Sequence, residues 1–178
     1  MKPVTAYIGL GANLGEPLQQ LQSAVAALAQ LPHTTLDGVS PLYGSAPIGP
    51  ADQPDYLNAV ARLITSLPPH ELLRQLQGIE QAHGRIRLRH WGERSLDLDL
   101  LLFAEDIIDT PELKVPHPEM HKRAFVLLPL RDLDHDLITP DGSRIADFIP
   151  SVLDQDLHWL MDEAWWQAVD SPPGKLDY

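Results

Sequence analysis

The chain has 178 residues, room for one ordinary domain with its own core and little more. An apolar share of 44% beside 21% charged residues is a globular composition, and no run approaches the ~20 apolar residues that a membrane helix needs. A net charge of −12, from 13 basic and 25 acidic side chains, argues against wrapping of nucleic acid, which requires Lys and Arg to neutralise phosphates.

The start, Met1-Lys2-Pro3-Val4, lacks the apolar core of a signal peptide and leads into a strand-like run. The chain has no cysteine, which removes disulfides, thiol nucleophiles and thiolate metal sites and fits a cytoplasmic location. Val4 to Leu10 reads as a first strand, with Gly9, Gly11, Asn13 and Gly15 read as turn chemistry. Pro17 suits the first turn of a helix, and Leu18, Leu21, Val25 and Leu28 form its apolar stripe. Thr35 to Tyr43 reads as a second strand. A Pro- and Gly-rich loop from Ser45 to Asp55 leads to a third strand at Leu57 to Thr65. Pro68-Pro69 opens a second helix with Leu72, Leu76 and Ile79 on its buried side, ended by Gly84.

Ser95 to Phe103 is the fourth strand, which makes the order βαββαβ. That order favours an α+β, ferredoxin-like sandwich with a mainly antiparallel sheet, helices packed on it and mobile loops. Short strands near Ile107 and Val115 and a helix from Arg123 to Asp132 complete residues 1–150, read as one catalytic domain. Residues 151–178 read as an extension packed on the same domain. There Leu157, Met161, Ala164 and Ala168 suggest one more helix, with Trp159, Trp165 and Trp166 as either packing or a partner surface.

The most informative segment is Leu96-Asp97-Leu98-Asp99-Leu100. Alternation puts Leu96, Leu98, Leu100 and Leu102 on one face of a strand and both aspartates on the other, ~6.5–7 Å apart. Such a pair is either a solvated polar face or a base for magnesium, which takes one or two carboxylates plus substrate phosphates. Four of the nine arginines (Arg85, Arg87, Arg89 and Arg94) lie just before it, in a stretch that holds Gly84 and Gly92 and is suited to closing over phosphates. Trp91 covers a base or anchors that loop. Carboxylates beside an arginine lid form a constellation for phosphoryl transfer, although no Walker-type loop is present.

Two further segments carry polar groups on stiff loops. Ala46-Pro47-Ile48-Gly49-Pro50 with Gln53-Pro54-Asp55-Tyr56-Leu57-Asn58 offers a stacking ring at Tyr56 and a donor and acceptor at Asn58. Val115-Pro116-His117-Pro118 fixes His117 at a rigid turn ahead of Arg123 and Phe125. Taken singly, each of these residues has an ordinary structural reading.

In order and spacing these segments resemble the 6-hydroxymethyl-7,8-dihydropterin pyrophosphokinase family, from about Tyr7 to Ile149. The resemblance rests on Gly9-x-Gly11-x-Asn13-Leu14, Gln53 to Asn58, Arg94 to Asp99, and Val115 to Pro118 followed by Arg123. It implies a soluble monomer that transfers pyrophosphate from ATP to a pterin alcohol and releases AMP. It implies two magnesium ions on Asp97 and Asp99, with Arg85 and Arg94 stabilising charge as loops close. It implies a pterin between Tyr56 and Phe125, held by Asn58, Ser45, Pro47 and Ile48. It places Gln77, Glu80, Arg85, Arg87, Trp91, Arg94, His117 and Arg123 around ATP. For Glu80 a solvated or paired carboxylate is the ordinary alternative.

The arginine loop is one residue shorter than in the best-known members. Glu112 and Lys114 stand where some members carry Arg and Thr, so no ATP contact is carried onto them. The competing readings are a paralogue acting on another heterocyclic alcohol and a non-catalytic ferredoxin-like binding module.

Overall fold

The structure is a computed structural model that describes residues 2–45, 55–83 and 96–170. Its elements run β1 (Val4–Ala12), α1 (Pro17–Ala29), β2 (Thr34–Val39), β3 (Leu42–Ser45), β4 (Tyr56–Thr65), α2 (Pro69–Ala82) and β5 (Asp97–Phe103). A two-stranded hairpin of β6 (Ile108–Asp109) and β7 (Lys114–Val115) follows, then α3 (Ala124–Leu133), the short α4 (Ile145–Phe148) and β8 (Leu157–Met161). The main sheet has the order β5-β1-β4-β3-β8, with β2 also paired to β4, and its described pairings are antiparallel. This is the expected α+β architecture with an open sheet.

Strand alternation divides the core between the two faces. Ala6, Ile8, Leu10, Ala61, Leu63 and Leu98 pack with Leu21, Val25 and Leu28 of α1 and Leu72 and Leu76 of α2. Tyr7, Val60, Leu101 and Leu102 pack on the other face with Val126, Leu127 and Leu130 of α3 and Ile145 of α4. Leu102 does not share a cluster with Leu96, Leu98 and Leu100. The β1–β5 register shifts between Tyr7 and Ile8, so Leu101 is an extra residue and alternation is reset beyond it.

The expected second strand is two strands, because Pro41 has no N–H to give to a ladder. Ser40 fills the break: its N–H donates to Val60 O and its Oγ accepts the Val60 N–H, both at 2.9 Å. The first strand runs on through Gly9 and Gly11, which are strand residues and not turn residues. Gly15, at φ 70, is the turn glycine ahead of Pro17.

The tail differs most from expectation. Leu157–Met161 is a strand, not a helix, and Trp165–Asp170 is a 3-10 turn. The open edge of β3 supplies the reason, since backbone pairing there satisfies groups that a helix would leave bare. Beyond β8 the chain rounds the sheet edge and buries Trp165 on the α1 face. The indole Nε1–H donates to Ser40 O at 2.8 Å, and Gln22 Nε2 donates to Trp165 O at 2.9 Å.

Candidate active site

The sheet face opposite α1 and α2 carries a row of residues set by register alone. Asp97 on β5 stands opposite Gly11 on β1, Gly11 opposite Asn58 on β4, and Asn58 opposite Tyr43 on β3. One step along, Asp99 stands opposite Gly9 and Gly9 opposite Val60. Directly opposed residues share a face, so Gly11 leaves a strip without a side chain between Asp97 and Asn58, while the space over Gly9 is taken by Leu101, 3.5 Å from where a Cβ would lie. The strip is tight as well as flat, since a Cβ at Gly11 would lie 3.3 Å from Asn58 Oδ1.

On one side of this strip the donors are fixed. Asn58 is buried, and its Nδ2 donates to Ser45 Oγ at 2.8 Å. Tyr56, opposite Ser45 and two residues before Asn58, lies half-buried on the same face. On the other side Asp97 is half-buried and Asp99 exposed. The N–H of Leu98, between them, donates to Glu80 Oε2 at 2.7 Å. Glu80 is itself buried in the last turn of α2, while Gln77 one turn earlier is exposed.

The third wall comes from the segment that leads into α3. The Val115–Pro116 peptide is cis, and His117 N–H donates to Leu101 O at 3.0 Å, which ties the turn to β5. Burial lowers the His117 pKa. The carboxylate of Asp99 opposes that shift, Arg123 adds to it and Glu119 opposes it, so His117, Asp99 and Arg123 share one electrostatic neighbourhood. Nδ1 of His117 accepts the Glu119 N–H at 3.1 Å, so the neutral ring carries its proton on Nε2 as a donor. Arg123 sits just ahead of α3, with its guanidinium carbon 5.5 Å from the Phe125 ring centroid.

A family model for 7,8-dihydro-6-hydroxymethylpterin-pyrophosphokinase (HPPK) matches residues 7–135. The chain belongs to the HPPK family. The 2-amino-4-hydroxy-6-hydroxymethyldihydropteridine pyrophosphokinase of Pseudomonas aeruginosa is 54% identical over 143 residues, 80% of this chain and 88% of that one. The enzyme of the same name from Haemophilus influenzae is 47% identical over 154 residues, 86% of this chain and 96% of that one. Among solved structures, wild-type Plasmodium falciparum HPPK-DHPS with pterin and p-hydroxybenzoate has a TM-score of 0.66 at 14% identity. That match covers 84% of this chain and 43% of that longer one, and it bears on the fold alone.

In this HPPK chain the structure brings Ser45, Tyr56, Asn58, Asp97 and Asp99 to one sheet face, with His117, Arg123 and Phe125 along its border. Pro47, Ile48, Arg85, Arg87, Trp91 and Arg94 lie outside the described residues. Among the described residues no group of three or more His, Asp or Glu side chains is arranged to hold an ion. A carboxylate pair on one strand nevertheless fits magnesium, a hard ion that completes its shell with phosphate oxygens and water. Gly11 is the position in the candidate site that the sequence suggests as a turn and the structure places in β1. Its signal was there, in Tyr7, Gly9 and Gly11 alternating in phase along the strand. The bond from Leu98 to Glu80 had no sequence signal, because it joins a helix to a strand edge.

Proposed function

We propose that this HPPK-family chain transfers pyrophosphate from ATP to the hydroxymethyl group of 6-hydroxymethyl-7,8-dihydropterin, releasing AMP, in tetrahydrofolate biosynthesis. The reading is carried by the row Asp97, Gly11, Asn58, with Asp99 beside Asp97 on the same strand face, so that a carboxylate pair and a fixed amide lie on either side of one bare strip. A flat heterocycle with a hydrogen-bonding edge suits the Asn58 side. There Tyr56 and Phe125 supply ring faces, and Ser45 with the backbone near Pro47 and Ile48 supplies polar contacts.

ATP then lies toward Asp97 and Asp99, with Gln77, Glu80, His117 and Arg123 around it and Arg85, Arg87, Trp91 and Arg94 brought by the arginine loop. The hydroxyl oxygen bonds to the β-phosphorus while the bond from that phosphorus to the α,β-bridging oxygen breaks. AMP leaves with the bridging oxygen, and the hydroxyl proton passes to solvent. His117, neutral with Nε2–H as donor, and Arg123 hold phosphate oxygens, while Arg85 and Arg94 meet the charge that builds on them. Asp97 and Asp99 would hold two magnesium ions, whose chemistry is to neutralise and align the phosphates. The reading places the protein in the cytoplasm as a monomer. Among the described residues no helix is long and apolar enough to cross a membrane.

The test is AMP release with ATP, magnesium and the pterin alcohol each omitted in turn, alongside Asp97→Ala and Asp99→Ala. AMP formation that needs all three components and fails in both folded variants is the expected result. Robust turnover by either variant would remove the metal assignment, and ATP binding without AMP formation would point to another alcohol as substrate.

A further inference from the structure

The C-terminal segment lies beyond the residues that the family model matches, which end at 135, yet it reaches the candidate site at two places. The first is Gln155. Its Oε1 accepts the Ala124 N–H at 2.8 Å and its Nε2 donates to the Lys122 carbonyl at 2.7 Å. One side-chain amide therefore brackets Arg123 from both sides, as a neighbouring strand would. The Ala124 N–H is among the first donors of α3, which no helical carbonyl can satisfy, and no local side chain caps that end. Gln155 is held in turn by its own N–H, which donates to Val152 O at 3.0 Å, and Val152 is buried in the α3-side core.

The second place follows two residues later. Leu157 opens β8 and pairs with Ser45 on β3, the residue whose Oγ receives the Asn58 amide. Residues 155–157 thus link two walls of the candidate site, the turn into α3 and the strand that carries Ser45. One end fixes the turn that presents Arg123 and Phe125, and the other fixes the strand that presents Ser45.

We propose that Gln155 is a positioning residue for substrate binding, which sets Arg123 and Phe125 in register with Ser45 and Asn58. This rests on the pyrophosphokinase reading for the identity of the substrates. It does not touch them itself, and its effect passes through the Lys122–Ala124 backbone. Two simultaneous hydrogen bonds of opposite sense define the orientation of that turn more narrowly than either alone. The Gln155 side chain is exposed, so its loss leaves no cavity and costs the fold little.

The test compares the full-length wild type with Gln155→Ala in steady-state kinetics, thermal unfolding and amide hydrogen exchange at Ala124. In the variant we expect KM for ATP and for the pterin alcohol to rise by about 3- to 10-fold with kcat within about 3-fold, faster exchange at Ala124, and nearly unchanged melting. Unchanged KM values with an active wild type would overturn the positioning role. A large fall in melting temperature with unchanged KM would make Gln155 merely structural and overturn it equally. A wild type that forms no AMP would overturn the pyrophosphokinase reading and the substrate assignment together, whatever exchange at Ala124 shows.

Discussion

Glu80 accepts the backbone N–H of Leu98, the residue that separates Asp97 from Asp99, at 2.7 Å. Among the described residues β5 is at the edge of the main sheet and this N–H has no strand partner on its outer side, and α2 supplies the acceptor instead. A buried carboxylate in the last turn of a helix meets the negative end of the helix dipole and loses hydration, two costs that the bond to β5 offsets. Hydrogen bonds to charged groups contribute about 1.5–3 kcal/mol, which corresponds to roughly 10- to 100-fold if the whole effect reaches the aspartates. Glu80→Ala is therefore expected to raise the magnesium concentration at half-maximal turnover and to lower kcat. Glu80→Gln keeps an acceptor for Leu98 and is expected to be milder. A magnesium titration of AMP release checks both, and equal damage in the two variants would mean that the charge and not the acceptor matters.

The absence of a side chain at Gly11 predicts a second effect. A Cβ there comes within 3.3 Å of Asn58 Oδ1, and Asn58 cannot retreat freely because its Nδ2 is bonded to Ser45. Gly11→Ala is expected to weaken pterin binding by about 10-fold, a loss of the size seen when one hydrogen bond is displaced, with little change in the Asp97 side of the row. Gly15→Ala is the control. At φ 70 with open space around its Cβ position, it strains the backbone by ~1–2 kcal/mol and lowers stability without moving KM. Equal KM values for pterin in Gly11→Ala and the wild type would remove the strip from the binding site.

What was legible in the sequence was whatever depends on neighbours along the chain. The alternation around Asp97 and Asp99 placed both carboxylates on one face, and the stripes of α1 and α2 gave their buried sides. Leu102 was misplaced because the bulge that resets alternation is a property of the β1–β5 pair and not of β5. The break between β2 and β3 had a visible cause in Pro41, whereas the Ser40 bonds that seal it did not. The tail was read as a helix because Leu157, Met161, Ala164 and Ala168 happen to fall at helical spacing, while its state is decided by an open strand edge more than 100 residues away in sequence. For the same reason Gln155, which bonds to both neighbours of Arg123, carries no signal along the sequence.

Tyr43 predicts an alkaline limit to stability. Its hydroxyl donates to Asp132 near the end of α3, and burial first, then that bond and the nearby carboxylate, push its pKa well above 10.0. A group with a raised folded pKa contributes stability that is fully present below its unfolded value and is lost as pH rises through that value toward the folded one. Tyr43 therefore supports the fold at neutral pH and loses that support progressively above pH ~10. Tyr43→Phe is expected to be less stable by about 1–3 kcal/mol at pH 8, with the gap narrowing above pH 10. Urea unfolding of both proteins at pH 8 and pH 10.5 checks the sign: a gap that stays constant would mean that the folded pKa is not raised, and no gap at pH 8 would mean that the bond to Asp132 contributes nothing measurable.

Trp165 makes the most direct claim about the C-terminal segment. It is 3% exposed, packs with the α1 face of the core, and donates its indole N–H to Ser40 O, while its own carbonyl is held by Gln22. Truncation of a buried Trp costs about 3–5 kcal/mol, and each kcal/mol shifts the melting temperature of a domain of this size by roughly 2–4 °C. Trp165→Ala is thus expected to lower melting by about 6–20 °C, and Trp165→Phe by less, since it loses mainly the bond to Ser40. Because Trp165 lies on the α1 face, opposite the row from Asp97 to Asn58, AMP release at 20 °C is expected to stay within about 3-fold for both variants. Thermal unfolding with parallel assays separates the two effects. A melting temperature equal to wild type would show that the tail does not brace the sheet, and a large loss of turnover without loss of melting temperature would place it in the site.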